Sequence, residues 1–187
     1  HEDQIGELLP GEILVAPITA PSWASAFSVV SGVVTDIGGM MSHAAIVCRD
    51  ADLDRAAKGV VWAAFMNAGQ TCASVERVYV EREVKDAFLA KVLEETRGLR
   101  RSEEGRGGEM GPLALERQRR TVEEHVRDAL AKGARALTGG SVPAGPGLFY
   151  PPTVLVDVDH TMTVLREETF GPVLPILAVD SLDEAIR

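Results

Sequence analysis

Hydrophobic and polar positions alternate along the chain with two periods, one typical of helices and one typical of strands. Asp52 is placed to cap a helix that runs to about Asn67. Longer helices are also predicted over residues 84–98 and 113–132, with Gly133 ending the second of these. Helices alternating with strands predict an α/β fold. Further strands are predicted over residues 12–16, 32–35, 75–81, 153–156 and 173–179, and short helices over residues 42–48 and 181–187.

Composition narrows the class of protein. Hydrophobic residues make up 45% of the chain and charged residues 25%, which favours a packed core over disorder. The net charge of -9 argues against binding to a nucleic-acid backbone. No apolar run is long enough to cross a membrane, so we expect a soluble, cytoplasmic protein. Because the chain starts at His1 rather than Met and stops inside a helical pattern, we also expect a segment of something longer, or a truncated product.

The cysteines and histidines of the chain predict neither a disulfide scaffold nor a zinc site. Cys48 and Cys72 are too few for a disulfide scaffold, and no Cys/His cluster has the spacing of zinc ligands. A free cysteine is most often a small buried hydrophobic residue, and that interpretation applies to both at first. His1, His125 and His160 have no paired carboxylate or metal-ligand spacing, so we expect them at the surface.

The first candidate site is a histidine that follows two glycines. Residues 35–45 read TDIGGMMSHAA, which puts His43 at the start of the helix predicted over residues 42–48. A neutral imidazole can act as a nucleophile, and a helix N-terminus offers N–H groups to phosphate oxygens. Such a histidine could carry a phosphoryl group. Taken alone, a histidine in such a position is more often a helix cap or a packed side chain.

Three strings surround this histidine: GEILV from residue 11, TAPSW from residue 19 and GVVTDIGGMMSHAAIV from residue 32. Over residues 11–47 they resemble the swivelling phosphohistidine domain of the phosphoenolpyruvate-utilising enzymes. The resemblance implies a swivelling β/α domain in which His43 is the phosphorylated residue. The strands that complete this domain in the family, and its nucleotide-binding partner domain, are not expected in this chain.

The second candidate site is a cysteine that follows a predicted helix. Residues 65–74 read FMNAGQTCAS, which delivers Cys72 just before a strand. A catalytic thiol must reach a pocket, be partly deprotonated and have N–H donors near the developing oxyanion. The small neighbours Gly69, Ala73 and Ser74 leave room for a substrate carbonyl. From these residues alone, both a nucleophile and an inert core cysteine remain open.

A series of strings runs in order along residues 48–187. They are DADLDRAA from residue 50, FMNAGQTC from residue 65, RVYV from residue 77, GP at residue 111, residues 133–140 and 149–155, and EETFGPV from residue 167. Together they resemble part of the aldehyde dehydrogenase catalytic domain. The resemblance implies a Rossmann-like α/β sheet with flanking helices, and oxidation of an aldehyde to an acid with NAD or NADP. It implies that Cys72 is the nucleophile, forming a thiohemiacetal and then a thioester. It also implies cofactor-binding roles for Glu168, at the nicotinamide ribose hydroxyls, and for Phe170, beside the nicotinamide.

Several parts of the aldehyde dehydrogenase machinery are not matched. We find no counterpart of the dinucleotide-binding domain, the oxyanion-hole asparagine or the general-base glutamate. Residues 36–39 read DIGG, which only superficially resembles the family motif that contains the general-base glutamate. Asp36 is therefore given no catalytic role. We therefore expect this chain to bind NAD(P) weakly or not at all and to be inactive alone. The substrate aldehyde and the choice between NAD and NADP stay open, and family members are commonly homo-oligomers.

The two resemblances meet within residues 45–48, which read AIVC. The two resemblances therefore predict a partial swivel domain over residues 1–47 and a partial dehydrogenase domain over residues 48–187. No linker rich in Gly, Pro or Ser separates the halves, as a working two-domain fusion would normally show. An accidental chimera is therefore favoured over a bifunctional enzyme, and Cys48 is interpreted as structural.

Overall fold

The chain divides by its internal contacts into two units, His1–Ser42 and His43–Arg187. The computed structural model describes residues 13–16, 32–35, 44–102 and 107–186. In the first unit, strand β1 (Ile13–Ala16) pairs in parallel with strand β2 (Gly32–Thr35). Both segments were predicted as strands, and this secondary-structure prediction is confirmed.

The second unit is built on a five-stranded mixed sheet. Its strand order is β3-β4-β7-β6-β5, and every pairing is parallel except that between β5 and β6. Strand β6 is buried at all its positions, and the first four residues of β7 are buried as well, which is typical of strands covered on both faces. The five strands are β3 (Ala44–Val47), β4 (Arg77–Glu81), β5 (Arg135–Ala136), β6 (Thr153–Val156) and β7 (Val173–Val179).

Helices cover this sheet. The helices are α1 (Leu53–Phe65), α2 (Lys85–Gly98), α3 (Glu116–Ala131), α4 (Thr163–Arg166) and α5 (Leu182–Ile186), with 3₁₀ turns at Met66–Gly69 and Arg82–Val84. Helix α1 packs on α2 and touches β3 and β7, whereas α3 packs on α4 and β5. No helix in the described ranges combines the length and the apolar composition that a bilayer crossing requires.

Local sequence explains where the best-defined helix begins. The Asp52 side chain accepts hydrogen bonds from the backbone N–H groups of Asp54 and Arg55, at 3.1 Å each. This is the capping arrangement that the sequence predicted, and it satisfies two of the unpaired donors at the start of α1. Phe65, at the other end of α1, and Phe88, on α2, are both fully buried. The core therefore anchors the end of α1, from which the chain continues towards Cys72.

The predicted helix over residues 42–48 is wrong. Ala44–Val47 is a strand that pairs in parallel with β4, aligning Ala45 with Val78 and Val47 with Val80. Ala45 and Val47 are buried and Ile46 faces outwards, which is the alternation that suits an edge strand. Pairing with a distant strand decided the conformation of a four-residue segment. Strand β3 lies before the predicted domain boundary at residues 47 and 48, and its partner β4 lies after it.

This correction changes the argument for the predicted phosphohistidine. His43 and Asp36 lie outside the described residues, so nothing is said of their surroundings. The residues that follow His43, however, form an extended strand rather than the first turn of a helix. The expected supply of helix N-terminal N–H groups is therefore lost. The phosphoryl-carrier role of His43 stays a prediction without that support.

Candidate active site

The segment that leads to Cys72 makes an unusual turn. Helix α1 ends at Phe65, and Asn67, Ala68 and Gly69 then have positive φ angles of 52°, 56° and 71°. Left-handed conformations are rare for residues other than glycine and cost roughly 1–2 kcal/mol each. Consecutive left-handed residues reverse the chain sharply at the end of the helix. Strain of this kind persists only where surrounding contacts hold it.

Gln70 supplies those contacts. Its side-chain amide donates to the carbonyl of Asn67 at 3.0 Å, and the Asn67 side chain donates back to the carbonyl of Gln70 at 3.0 Å. The side-chain carbonyl oxygen of Gln70 accepts a hydrogen bond from the backbone N–H of Ala114 at 2.8 Å. Gln70 thus fixes the turn internally and ties it to the segment before α3. The glutamine of the matched string has a structural task.

Cys72 is exposed, immediately after this turn. Its neighbour Ser74 is buried, and the Ser74 hydroxyl donates to the carbonyl of Ala63 at 3.3 Å, which fastens the chain just beyond the thiol. Within the described residues, the backbone N–H of Cys72 has no hydrogen-bond acceptor. Cys72 therefore combines an exposed thiol with an N–H that has no acceptor among the described residues, while the residues on each side are fixed.

The second cysteine sits in a different environment. Cys48 is partly buried, and its burial raises the pKa of its thiol, with the nearby Glu81 and Asp50 carboxylates acting in the same direction. A raised pKa reduces the thiolate fraction at neutral pH, and the thiolate is the reactive form. The structure therefore agrees with a structural interpretation of Cys48.

The predicted cofactor-binding residues lie in the loop between α4 and β7. Glu168 is exposed, and its carboxylate makes no hydrogen bond or ion pair with any described residue. Phe170 is half-buried and has a φ of 48°, another left-handed residue that is not glycine. We call residues 168–171 the Glu168 loop. It offers one free carboxylate beside one aromatic ring.

We call residues 67–72 the Cys72 turn, and this turn is in direct contact with the Glu168 loop. A Cβ atom added to Gly69 would lie 2.2 Å from the carbonyl oxygen of Gly171 and 2.4 Å from its carbonyl carbon. Only glycine can bring the two backbones this close, and its left-handed φ is also one that glycine tolerates. The residues predicted for catalysis and for cofactor binding therefore belong to two segments that meet, although they are about 96 positions apart.

Sequence reasoning missed the polar side chains that hold this loop. Glu76 and His125 are buried, although His125 was predicted to be at the surface, which is wrong. Glu76 accepts hydrogen bonds from the N–H groups of Thr169 and Phe170, at 3.1 and 2.7 Å. The Gln118 side-chain amide donates to the carbonyls of the same two residues, at 2.7 and 3.1 Å.

His125 completes this set of contacts. Its Nδ1 atom lies 3.2 Å from the Thr169 hydroxyl, and the Thr169 side chain is buried with it. His125 occupies the inward face of α3 beside Val122 and Val126. Its partner is 44 residues away, so the local pattern around His125 could not reveal the contact. The burial of Thr169 and its contact with His125 depend on tertiary packing, not on the local sequence.

Other features of the described surface do not contribute to this site. A groove of about 780 Å³ lies between α1 and α2, lined by residues that include Trp62, Lys58 and Glu95 but not Cys72. Among the described residues, no group of three or more His, Cys, Asp or Glu side chains is placed to hold a metal ion. The candidate chemistry is therefore that of an exposed thiol beside the Glu168 loop.

Comparison with known proteins gives this arrangement a family. The sequence model described as "Aldehyde dehydrogenase family" matches residues 24–187. Lactaldehyde dehydrogenase of Escherichia coli is 37% identical over 198 residues, covering 98% of this chain and 40% of that protein. The 3-sulfolactaldehyde dehydrogenase of Pseudomonas putida is 38% identical over 193 residues, covering 98% of this chain and 39% of that protein.

A solved structure shows the same likeness in three dimensions. The 3,6-anhydro-L-galactose dehydrogenase in complex with NAP has a TM-score of 0.72 and 32% identity, covering 93% of this chain and 38% of that one. The chain thus spans about two fifths of the length of these relatives. The family match also covers residues 24–47, and these comparisons give no support to the swivel-domain resemblance. By its sequence and its fold, the chain belongs to the aldehyde dehydrogenase family.

Proposed function

We propose that this chain carries the nucleophile segment and part of the cofactor-binding surface of an NAD(P)-dependent aldehyde dehydrogenase, with Cys72 as the nucleophile. The observation that carries the proposal is the contact between Gly69 and Gly171, which brings the turn before the exposed Cys72 against the Glu168 loop. Family membership supports the reaction class. Because the chain spans only about two fifths of its relatives, the complete reaction belongs to the proposal.

The reaction begins with the Cys72 thiolate. Its sulfur adds to the aldehyde carbon, so a C–S bond forms and the carbonyl oxygen gains negative charge as a thiohemiacetal alkoxide. Loss of the C–H electron pair as hydride, which a bound NAD(P)⁺ would accept, restores the C=O bond and leaves a thioester on Cys72. Water then adds to the thioester carbon, the C–S bond breaks, and the acid is released while sulfur regains its proton. The exposure of Cys72 is what allows an aldehyde to approach it.

The turn around Cys72 is suited to stabilise the alkoxide. The Cys72 N–H has no acceptor among the described residues, so it can donate to a developing oxyanion without first breaking another hydrogen bond. A donor that is already oriented pays little reorganisation energy, and one such donor typically changes the rate by about 100- to 1,000-fold. The Gln70 and Ser74 hydrogen bonds hold the backbone on both sides of this donor.

The Glu168 loop fits the ribose end of a nicotinamide cofactor. The Glu168 carboxylate is exposed and unpaired among the described side chains, so its oxygens are free to accept from two ribose hydroxyls. Phe170, held beside it, offers an apolar surface for the adjacent ring. NAD(P)⁺ would supply the hydride acceptor. Gln118 and Glu76 keep the loop in place from behind.

The relatives are named for several short aldehydes. Two of them are named for lactaldehyde and 3-sulfolactaldehyde, both short aldehydes with a hydroxyl on the carbon next to the carbonyl. A relative from Mycolicibacterium smegmatis that is 46% identical over 158 residues is named for succinate semialdehyde, which has no 2-hydroxyl. We therefore propose a short aldehyde, with or without a 2-hydroxyl, as the substrate of this chain's site. The proposed cofactor is NAD or NADP. A homo-oligomer is proposed only for full-length members of the family.

Acylation by p-nitrophenyl acetate tests the nucleophile without any cofactor. Attack by Cys72 releases p-nitrophenolate and leaves an acetyl group on the sulfur, so we expect a stoichiometric coloured burst from the 187-residue chain. Peptide mass spectrometry should place the acetyl group on Cys72. The matched variants are Cys72→Ala, which should lose the burst, and Cys48→Ala, which should keep it. Acetylation of Cys48 in place of Cys72 would overturn the assignment.

The same assay tests the substrate class. Lactaldehyde should slow the burst competitively, because a thiohemiacetal at Cys72 blocks acylation. Propanal, which lacks the 2-hydroxyl, should compete less well if the site recognises that group. No competition from either aldehyde would show that the thiol does not accept aldehydes and would reject the proposed function.

A further inference from the structure

We propose that Glu76 is a positioning residue that holds the Glu168 loop against the Cys72 turn through two backbone N–H groups. This inference rests on the proposed function, since it assigns to Glu76 the placement of the cofactor-binding loop. Glu76 does not itself touch the substrate or the cofactor site. It acts through Thr169 and Phe170, the two residues that follow Glu168.

The hydrogen-bonding geometry of Glu76 uses both carboxylate oxygens. Oε2 accepts from the Thr169 N–H at 3.1 Å, and Oε1 accepts from the Phe170 N–H at 2.7 Å. The side chain is 3% exposed, so water does not compete for these oxygens. Two adjacent N–H groups bound by one carboxylate fix both the position and the orientation of the intervening peptide unit. The loop is therefore set at the residues next to Glu168.

The place of Glu76 in the sequence links this loop to the nucleophile. Glu76 lies four residues after Cys72 and directly before β4, at a point where the backbone is anchored in the central sheet. The loop that it holds lies 93 to 94 positions further along the chain. The carboxylate thus joins the segment carrying Cys72 to the segment carrying Glu168, close to the Gly69–Gly171 contact.

The buried position of the Glu76 carboxylate requires hydrogen-bond partners. A buried carboxylate is unfavourable unless hydrogen bonds or an opposite charge compensate it. Among the described residues, no Lys, Arg or His forms an ion pair with Glu76. The two N–H groups of the Glu168 loop are therefore its principal compensation. An apolar side chain at this position would avoid the cost but would leave both N–H groups without a partner.

The same bonds stabilise a strained residue. Phe170 has a φ of 48°, a conformation that is uncommon for a bulky side chain. Its N–H makes the shorter of the two bonds to Glu76, and its carbonyl accepts from Gln118 at 3.1 Å. Opposite sides of one peptide segment are thus held by two different side chains. Removing Glu76 should release the strain by letting the loop move.

Hydrogen exchange at single amides tests the proposal on the 187-residue chain. We compare Glu76→Ala with Val92→Ala, a control that removes buried apolar surface on α2, a helix that carries none of the loop's side-chain hydrogen-bond partners. In Glu76→Ala the Thr169 and Phe170 amides should exchange about 10- to 100-fold faster than in the control at matched global stability. Glu76→Gln, which keeps one acceptor oxygen, should rescue protection at one of the two amides.

Two outcomes would overturn the inference. Equal loss of protection in Glu76→Ala and Val92→Ala would make Glu76 a purely structural residue. Rapid exchange of both amides in the unmodified chain would show that the bonds do not persist in solution. If Glu76→Ala does not fold, the Glu76→Gln pattern alone decides. Failure of the proposed function would appear separately, as loss of the acetyl burst at Cys72 while the exchange pattern remains.

Discussion

Replacing Gly69 by alanine tests whether close contact between the Cys72 turn and the Glu168 loop organises the site. The added Cβ would meet the carbonyl oxygen of Gly171 at 2.2 Å and the carbonyl oxygen of Ala64 at 3.0 Å. Both are backbone atoms, so no side-chain rotation relieves the clash. Ordinary contact begins near 3.4 Å, so the loop and the turn must separate by roughly 1 Å.

The magnitude follows from two terms. A φ of 71° costs an alanine roughly 1–2 kcal/mol relative to glycine. Overpacking of a fixed interior contact costs about 1–3 kcal/mol more. We therefore expect Gly69→Ala to lower the free energy of unfolding by about 2–5 kcal/mol, a large share of the roughly 5–15 kcal/mol of an ordinary domain. A displacement of 1 Å should also slow acylation of Cys72 about 100-fold.

Gly59 provides the matched control. It lies inside α1, is exposed, and an added Cβ would meet nothing within 4 Å. Gly59→Ala should raise the free energy of unfolding by about 0.5–1 kcal/mol, because alanine favours the helix. Urea denaturation followed by circular dichroism measures both variants. A Gly69→Ala protein as stable as the unmodified chain, with an unchanged acylation rate, would refute the reasoning.

Three further changes probe other contacts. Asp52→Ala removes the side-chain cap of α1 and should cost about 1 kcal/mol in urea denaturation, so an unchanged midpoint would contradict the capping role. Gln118→Glu replaces the donor facing the two loop carbonyls by an acceptor and should lower the free energy of unfolding by about 1–3 kcal/mol, whereas an increase would contradict the contact. The hydrogen bond from Lys132 and that from the Thr163 N–H hold the pKa of Asp128 at about 2, below its value of 3.8 when free. The stabilisation is present above pH 3.8 and is lost as the pH falls towards 2, so stability measured over this window should fall less steeply in Asp128→Asn than in the unmodified chain. Parallel pH curves for the two proteins would contradict this linkage.

Much of the fold could be predicted because its signals are local. The Asp52 cap and the apolar spacing that follows define α1, and the bounds of β6 and β7 were predicted as the structure has them. In each case the residues that decide the structure lie within the element or next to it. The turn at residues 66–69 was not predicted, because the helix was expected to run to about Asn67, and the three left-handed residues were not anticipated either.

The missed features all depend on distant partners. Ala44–Val47 is short enough to fit a helix or a strand, and its pairing with β4 decides between them. Glu76 falls on the same side of the alternation as the buried Val78 and Val80, but the loop 93 positions away that binds its carboxylate could not be inferred from this pattern. His125 is buried against Thr169 for the same reason. A buried polar residue could be suspected from a charge at an apolar position, but its partner could not be named.

The central claim is that Cys72 is an accessible, reactive thiol beside the Glu168 loop, and competitive alkylation tests it most directly. The folded chain is treated with limiting iodoacetamide at neutral pH, and peptide mass spectrometry compares labelling of Cys72 and Cys48. We predict faster labelling of Cys72, because it is exposed whereas burial raises the pKa of Cys48. The difference should shrink in urea and as the pH rises. Equal labelling of both cysteines in the folded chain would contradict the account.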